Sequence, residues 1–296
     1  MHNTLIILAA GLSSRMKRSA AEGALSESDV KQASQRSKAL ISVGKNNRPL
    51  LDYLLYNARS AGYREIIIVK RPDDTLMQEF YGEKMTGNDF HGLQISFADQ
   101  HIPPNREKPF GTADAIFQAM TQLPHLQQTP FTVCNSDNLY SVTAFRLLRE
   151  TSSPNAMICY DQSGLDFSPE KISGFALCRL NAGNHLIDIV EKPSVETLNE
   201  FAGKYGFIPV SMNIFKLDGK TMFPYFENCP VHPVRNEKEL PTAIMNMISE
   251  IPNALLGIYL SEHVPDLTAK ADIAAVREFL ATHYPNDLWE SKYGAE

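Results

Sequence analysis

Short apolar segments alternate with longer amphipathic segments along most of this chain. The apolar segments predict β-strands near residues 4–9, 65–70, 93–98, 130–134, 156–160, 174–180, 186–191, 208–216 and 254–260. The amphipathic segments predict helices at residues 49–61, 73–82, 113–123, 142–150, 195–204, 239–249 and 271–282. This alternation predicts an α/β fold, in which a central mixed, mostly parallel sheet is flanked by helices.

Two segments interrupt the alternation. Residues 17–37 are rich in Ser, Ala, Gln and charged residues and lack an apolar stripe, so they predict a mobile surface loop. Residues 100–110 contain three prolines and predict an extended loop. Neither segment has the composition of a linker between domains, and the chain contains no internal repeat. We therefore predict one domain over residues 1–296, with its core at about 3–250 and a C-terminal strand and helix added within 251–296.

Composition narrows the class of protein. The net charge of −6 argues against broad nucleic-acid binding, which needs a basic surface. The longest apolar runs are about seven residues, whereas a helix that crosses a bilayer needs roughly 20, so no membrane span is expected. No basic region precedes the N-terminal apolar run, which argues against a secretion signal. The four cysteines form no Cys-x-x-Cys pair, so we predict buried, reduced thiols in a cytoplasmic protein.

The first predicted strand ends in small residues, and two cations follow it. The strand runs into Gly11, after which come Arg15 and, beyond the polar segment, Lys38. A strand that ends in small residues lets backbone N–H groups approach a phosphate chain, and an arginine and a lysine can offset its charge. These features predict a nucleoside triphosphate as the ligand. The polar segment 17–37 would then have an alternative function as a lid over the phosphates.

Later strand ends and a helix start carry further candidate groups. Gly111 and Thr112 open a helix, either as a close approach to a ligand or as a structural cap. Asp137 follows an apolar strand, and ligands of α/β sheets bind at such strand ends. A carboxylate there can hold Mg²⁺. The alternative is that Asp137 caps the next helix. Glu191 and Lys192 end another strand, where they point in opposite directions or form a plain surface turn. The recurrence of such groups in one chain favours a shared site.

At these positions the chain resembles the sugar-1-phosphate nucleotidyltransferases, also called nucleotide-sugar pyrophosphorylases. The resemblance covers about residues 3–250. It rests on an L-A-A-G turn followed by arginine, a G-T-A helix start, a strand ending in aspartate and an E-K-P motif: Leu8 to Gly11 with Arg15, Gly111 to Ala113, Asp137, and Glu191 to Pro193. Val210 to Asn213 and Glu239 to Thr242 resemble a less-characterised branch that keeps V-S-M-N and Leu-Pro-Thr segments. The resemblance implies a Rossmann-like nucleotidyltransferase fold.

The resemblance also implies roles for individual residues. The nucleotide would be bound by Leu8, Ala9, Ala10, Gly11, Gln100, Gly111 and Thr112. The sugar phosphate would be bound by Gly174, Glu191, Lys192 and Asn213. The catalytic residues would be Arg15, Lys38, Asp137 and Lys192. Asp137 would hold Mg²⁺; the family's usual second metal ligand corresponds to Thr242 here, which leaves Glu239 and Thr242 as the candidates.

The implied activity is nucleotide-sugar biosynthesis. A sugar 1-phosphate would attack the α-phosphorus of a nucleoside triphosphate in line, giving a nucleoside diphosphate sugar and pyrophosphate. Three alternatives stay open: a cytidylyltransferase acting on a non-sugar phosphate such as phosphocholine, a nucleotide-sugar-dependent glycosyltransferase, and a non-catalytic nucleotide-binding regulator. The glycosyltransferase should carry an Asp-x-Asp motif, whereas residues 136–138 offer one carboxylate. The nucleobase and the sugar stay open, and a homo-oligomer is compatible with the sequence.

Overall fold

The fold was analysed in a computed structural model, which describes residues 1–19 and 25–289. The described residues form ten strands: β1 Thr4–Leu8, β2 Glu65–Lys70, β3 Asn88–Phe90, β4 Leu93–Asp99, β5 Pro130–Asn135, β6 Ala156–Asp161, β7 Leu177–Leu180, β8 Leu186–Val190, β9 Pro209–Asp218 and β10 Leu256–Leu260. All nine predicted strands are present. The short strand β3 was missed, because three residues are too few to show a period.

The α-helices lie between these strands. They are α1 Ser14–Arg18, α2 Glu27–Gln35, α3 Leu50–Ala61, α4 Leu76–Tyr81, α5 Thr112–Gln122, α6 Val142–Glu150, α7 Pro169–Ile172, α8 Val195–Tyr205, α9 Gly219–Glu227, α10 Leu240–Glu250 and α11 Asp272–His283. The seven predicted helices correspond to α3, α4, α5, α6, α8, α10 and α11. Among the described residues, no helix has the length and apolar character needed to cross a membrane.

The strands form one mixed sheet. Its main path has the order β10-β6-β9-β5-β1-β2-β4-β3, and β7 joins β9 to β8 at the side. Strands β10, β6, β5, β1, β2 and β4 run in one direction, whereas β9 and β3 run in the opposite direction. The predicted mixed, mostly parallel sheet is therefore confirmed.

Two hydrophobic clusters cover the two faces of the sheet. Successive side chains of a strand point to opposite faces, so Ile66 and Ile68 pack in one cluster and Ile67 and Val69 in the other. Helices α3 and α6 contribute to the first cluster, and helices α5 and α10 to the second. The sheet is thus buried between two helical layers, as the continuous apolar runs predict.

The prediction of a loop across residues 17–37 is wrong for its second half. Helix α2 occupies Glu27–Gln35, and Ser26 and Asp29 form a reciprocal capping box at its start. Asp29 also forms an ion pair with Arg277 of helix α11, with an N–O distance of 2.5 Å. The capping box and this ion pair hold helix α2 in place, although it lacks the apolar stripe from which a helix is predicted. Residues 20–24 of this segment lie outside the described residues.

The C-terminal segment is part of the same architecture. Strand β10 pairs in parallel with β6, and helix α11 buries Ile273, Val276 and Leu280 in the first cluster. Residues 290–296 of the predicted addition 251–296 lie outside the described residues. The four cysteines are buried and free, as predicted for reduced thiols.

Candidate active site

Two cavities lie at the edge of the sheet where the parallel strands end. Strands β1, β4 and β5 all point their carboxyl ends to this edge, which is where open α/β sheets bind ligands. We call them the glycine-turn cavity and the Glu191 cavity. Thr112 and Asn135 line both of them, so the two cavities adjoin.

The glycine-turn cavity has a volume of about 370 Å³. Every residue that the sequence assigned to nucleotide binding lines it, together with two of the predicted catalytic residues: Leu8, Ala9, Ala10, Gly11, Gln100, Gly111, Thr112, Lys38 and Asp137. A Cβ atom built on Gly11 would meet no protein atom within 4 Å. Packing within the protein therefore gives no reason for a glycine at this position, whereas close approach of a ligand does.

Lys38 reaches this cavity although a long segment separates it from the glycine turn. Its backbone N–H donates to Ser13 Oγ at 3.3 Å, which ties the short 3₁₀ turn Lys38–Leu40 to the turn after β1. Its ammonium lies 2.8 Å from Asp137 Oδ2. Ser13 itself has a positive φ of 56°, a strained conformation that is common at binding sites. The structure thus brings together a lysine and a carboxylate that are 99 positions apart.

The far end of the same cavity is built around Gly111. This residue has a φ of +106°, and a Cβ atom there would lie 2.3 Å from the carbonyl oxygen of Lys238. The Lys238 carbonyl accepts from the N–H of Ala113 at 3.0 Å. Thr112 Oγ1 accepts from the N–H of Leu240, so the start of helix α5 is held against the start of α10. Gly111 therefore has a structural reason to be glycine, in contrast to Gly11.

The Glu191 cavity has a volume of about 340 Å³. The residues predicted for the sugar phosphate line it, together with two others singled out in the sequence: Gly174, Glu191, Lys192, Asn213, Arg15 and Glu239. Arg15 thus lies on the side of the second cavity, whereas Lys38 lies in the first. Lys192 and Asn213 both have positive φ values, of 47° and 56°. Such backbone strain persists only where the surrounding structure enforces it.

Arg235 is a candidate site residue that the sequence did not single out. It lines the Glu191 cavity and forms ion pairs with Glu191 and with Glu239, the latter at 2.6 Å. Glu191 thus pairs with Arg235. The interpretation that Glu191 and Lys192 lie on an extended strand is wrong, because β8 ends at Val190 and the positive φ of Lys192 places the two residues in a turn. No sequence signal points to Arg235, because it lies in an irregular segment with two prolines and no periodic pattern.

A second carboxylate lies beside Asp137. Asp266 follows β10, and a backbone bridge joins it to Asn138 while the N–H of Leu267 donates to the carbonyl of Asp137 at 2.8 Å. Burial and the nearby charge of Asp137 raise the pKa of Asp266 above its ordinary value. Lys171 contacts Asp266 at 2.9 Å, much as Lys38 contacts Asp137. The rule that identified Asp137, a carboxylate directly after a strand end, does not identify Asp266, because β10 already ends at Leu260 and Glu262 is the first carboxylate after it.

The capping interpretation of Asp137 is wrong. Ser141 is the N-cap of helix α6, and its side chain accepts from the N–H of Ala144. Of the two predicted candidates for the second metal ligand, Glu239 lines the Glu191 cavity and is paired with Arg235, and Thr242 belongs to helix α10. Within the described part of the chain, no cluster of three or more His, Cys, Asp or Glu side chains could hold a metal ion. Asp137 and Glu237 are the carboxylates that line the glycine-turn cavity, and Asp266 lies next to Asp137 outside that lining.

Comparison with known families identifies the class of protein. The family model of the nucleotidyl transferases matches residues 33–220, which is more than half of the chain. The chain belongs to the nucleotidyl transferase family. This result confirms the superfamily and the enzyme class that the sequence motifs predicted, and it argues against a glycosyltransferase or a non-catalytic regulator.

Two individual similarities accompany the family match. A small subunit of glucose-1-phosphate adenylyltransferase, chloroplastic/amyloplastic, from Triticum aestivum is 23% identical over 168 residues, which cover 55% of this chain and 35% of the relative. This nucleotidyl transferase thus spans about a third of the length of that curated relative. The crystal structure of a UDP-glucose pyrophosphorylase complexed with UDP-glucose matches with a TM-score of 0.69 at 14% identity, covering 95% of this chain and 99% of that one. The predicted nucleotidyltransferase fold is confirmed.

Proposed function

We propose that the protein transfers a nucleotidyl group from a nucleoside triphosphate to a sugar 1-phosphate, releasing pyrophosphate. The observation that carries this proposal is the pair of adjoining cavities that share Thr112 and Asn135. One has a glycine turn and two lysines, and the other has three cations and two carboxylates. Two phosphorylated substrates held side by side in this way would react as one bound pair, which removes most of the entropic cost of their encounter.

The glycine-turn cavity would hold the nucleoside triphosphate. Gly11 leaves room for the phosphate chain to approach the backbone, and Leu8, Ala9 and Ala10 supply a small, apolar floor. The Lys38 ammonium would leave Asp137 and bind the phosphates, and it would offset their negative charge. Departure of pyrophosphate develops negative charge at this end, so a cation fixed here stabilises the transition state more than the ground state.

The Glu191 cavity would hold the sugar 1-phosphate. Lys192, Arg15 and Arg235 are the cations available to its phosphate, and Arg235 can offer a two-pronged contact. Glu191 would accept from sugar hydroxyls, with Gly174 and Asn213 close beside it. Because Arg235 is already paired with Glu191, binding of the phosphate would compete for the arginine and leave the carboxylate to the sugar.

Magnesium fits the carboxylates that are present. Mg²⁺ is bound in proteins by one or two carboxylates together with substrate phosphates and waters, and Asp137 and Asp266 provide such a pair. Because of its position next to Asp137, Asp266 joins Glu239 and Thr242 as a candidate for the second ligand. When bound, the ion would neutralise charge on the α-phosphate and polarise it.

The side chains of the protein would position the two substrates and neutralise their charge, and none of them would form a covalent intermediate. A phosphate oxygen is already ionised at neutral pH, so the attacking group needs no general base. Lys192 and Arg15 would hold that oxygen against the α-phosphorus, and Lys38 would face the leaving pyrophosphate on the other side. Such an in-line displacement relies on orientation and charge stabilisation, which are the main contributions to phosphoryl and nucleotidyl transfer.

The proposal is tested by incubating the protein and MgCl₂ with each of the common nucleoside triphosphates and a panel of sugar 1-phosphates. Phosphocholine is included as a non-sugar acceptor. The expected result is pyrophosphate release that requires both substrates, with a nucleoside diphosphate sugar as the second product. If phosphocholine were the only acceptor that gave pyrophosphate release, the result would favour a cytidylyltransferase and contradict the sugar acceptor. Lys220→Ala, on the exposed side of helix α9, serves as a charge-matched control for Lys38→Ala.

A further inference from the structure

A third cavity lies between helices α3 and α11, beside the start of helix α6. Its volume of about 480 Å³ exceeds that of either substrate cavity. Its lining has no described residue in common with the glycine-turn cavity or the Glu191 cavity. A cavity of this size can hold a small organic molecule, and neither proposed substrate accounts for it. We call it the Glu262 cavity.

Aromatic rings form much of the wall of the Glu262 cavity. Tyr56, Phe279 and Tyr284 line it, and the ring of His283 stacks on Phe279 with a centroid distance of 3.9 Å. His263 lines it as well, and the centroid of its ring lies 5.6 Å from that of Phe279. The faces of aromatic rings carry partial negative charge, so this wall suits a cation or an apolar group.

The formal charge of the lining comes from two carboxylates. Glu262 and Asp287 line the cavity, and its described lining residues include no lysine or arginine. Asp287 Oδ1 accepts from Asn46 Nδ2 at 3.2 Å. Burial lowers the pKa of His263, so this ring is neutral at pH 7. A phosphate or a carboxylate would therefore find little to offset its charge here, whereas a cation would.

Glu262 has an oxygen that is not paired within the protein. Its Oε1 is buried and has no hydrogen-bond partner in the described part of the chain. Burial raises the pKa of the Glu262 carboxyl, and a hydrogen bond from the Ser141 hydroxyl opposes this shift only in part. The phenol oxygen of Tyr160 is also buried and unpartnered, but Tyr160 does not line the cavity. An unpaired carboxylate oxygen in such a place is costly, and a donor or a cation at Glu262 would remove that cost.

The two histidines add one acceptor and one donor. His283 Nδ1 lies 2.9 Å from the carbonyl oxygen of Phe279, which can only accept, so Nε2 of the neutral ring is an acceptor. His263 Nδ1 accepts from the N–H of Asp166 at 3.0 Å, which leaves the hydrogen of its neutral ring on Nε2. No three His, Cys, Asp or Glu side chains of the described residues are placed to share a metal ion. The lining therefore fits an organic ligand that is rich in donors.

We propose that the Glu262 cavity binds a small organic cation, with its ammonium group at Glu262 and its apolar part among Tyr56, Phe279 and Tyr284. The carboxylate supplies the opposite charge and a charge-assisted hydrogen bond, and the rings favour the cation further. The site is separate from both substrate cavities, so the inference does not rest on the proposed function.

The test uses phenylethylammonium as the probe. Phenylethanol is its neutral counterpart of the same shape, and phenylacetate is the anionic one. Dissociation constants at pH 7 are measured by titration calorimetry. We expect the wild-type protein to bind the cation with a Kd of about 10 mM or tighter, and at least ~10-fold more tightly than either counterpart. Saturating ATP, CTP, GTP or UTP with MgCl₂ should not displace it.

Two matched variants locate the probe. Glu262→Gln keeps the size of the side chain and removes its charge, so we expect the preference for the cation over phenylethanol to fall below about threefold. Glu278→Gln removes the same charge from an exposed position of helix α11 outside the lining. We expect it to keep the wild-type preference. Thermal unfolding shows whether both variants are folded, and if Glu262→Gln is not, the three probes on the wild-type protein decide.

Four results would overturn the inference. The first is that the wild-type protein does not bind phenylethylammonium, or binds phenylethanol or phenylacetate equally well. The second is a folded Glu262→Gln variant that keeps the preference for the cation. The third is a loss of that preference in Glu278→Gln. The fourth is competition between the probe and a nucleoside triphosphate, which would place the probe in a substrate cavity.

Discussion

Individual side chains divide the proposed reaction between the two cavities. Lys38 and Asp137 are paired in the glycine-turn cavity, whereas Lys192 lies in the Glu191 cavity with a strained backbone. Because the two cavities meet at Thr112 and Asn135, each side chain can be assigned to one substrate and tested separately. Substitutions at this scale should separate binding of the nucleotide from binding of the acceptor.

Lys192→Ala tests the acceptor side. We expect a higher KM for the sugar 1-phosphate and a lower kcat, because a cation that holds the attacking phosphate is lost. Together these changes should lower kcat/KM at least ~10²-fold. Nucleotide affinity measured without acceptor should stay within about twofold. Paired titrations of the nucleotide and the sugar phosphate check this. A variant that loses nucleotide affinity but keeps its acceptor KM would mean that Lys192 belongs to the other substrate.

Asp137→Asn and Asp266→Asn test the carboxylate pair. Each substitution keeps the size of the side chain but removes a charged oxygen ligand, so we expect the Mg²⁺ concentration for half-maximal activity to rise at least tenfold. Direct Mg²⁺ titration in the presence of nucleotide gives a second readout. Glu239→Gln is the comparison, since Glu239 pairs with Arg235 and should leave the Mg²⁺ requirement nearly unchanged. A shift with Glu239→Gln alone would assign the second ligand to that residue instead.

At the scale of elements, strand ends and helix starts hold the site in place. Gly11 follows strand β1 and has open space around its Cα. Gly111 precedes helix α5, and its Cα packs closely against the backbone of Lys238. The two glycines therefore serve different purposes, although both line the same cavity. One leaves room for a ligand, and the other lets two helix starts pack together.

Alanine at each of the two glycines separates these purposes. Gly11→Ala should unfold within about 2 °C of the wild-type Tm yet bind nucleoside triphosphate at least tenfold more weakly, because its methyl group occupies ligand space. Gly111→Ala should lose about 3 kcal/mol of stability, from the positive φ and the contact with Lys238. Thermal unfolding and nucleotide titration of both variants check this. Equal destabilisation by the two substitutions would remove the distinction.

The elements also show what the sequence can predict. Strand β2 is recognisable because Ile66 to Val69 form a continuous β-branched run, and helix α6 because its apolar residues recur at helical spacing. Helix α2 escaped prediction because its anchor, Arg277, lies 248 positions from Asp29. Local patterns do not contain such a pairing; it arises only when the C-terminal helix packs against the first part of the chain.

The same reasoning applies to the site. Asp137 could be predicted, because it follows β5, one of the parallel strands that deliver their carboxyl ends to one edge. Lys192 follows β8, which pairs antiparallel with β7, so its place in the Glu191 cavity depends on the topology of the sheet. Asp266 joins Asp137 only through the order of the strands, which places β10 three strands away from β5 along the sheet. Arg235 lies in an irregular segment, so its position follows from the packing of that segment rather than from any period.

For the whole molecule, acid sensitivity should depend in part on His2. Burial, together with the charges of Lys216 and Arg149, lowers the pKa of His2 from 6.5 to about 3. The unfolded chain therefore binds a proton at this residue between pH 6.5 and 3, where the folded protein does not. The contribution of neutral His2 to stability is complete above about pH 6.5 and is lost as the pH falls towards 3.

Urea unfolding at pH 7 and pH 4 measures this effect. We expect the wild-type protein to lose about 3 kcal/mol more than His2→Gln over this interval, since 2.5 pH units separate pH 4 from the ordinary pKa. Gln can still reach Thr132, the hydrogen-bond partner of His2, so stability at pH 7 should change little. Parallel losses in the two proteins would show that His2 is protonated without cost in the folded state.

The proposed reaction joins two phosphorylated substrates through attack of a sugar phosphate oxygen on the α-phosphorus of the nucleotide. The most direct test uses a sugar 1-phosphate whose phosphate oxygens are labelled with oxygen-18, with phosphorus NMR and mass spectrometry of the products. We expect all label to stay in the nucleoside diphosphate sugar and the released pyrophosphate to carry none. Label in pyrophosphate or in free phosphate, or formation of a nucleoside monophosphate in place of the sugar product, would contradict it.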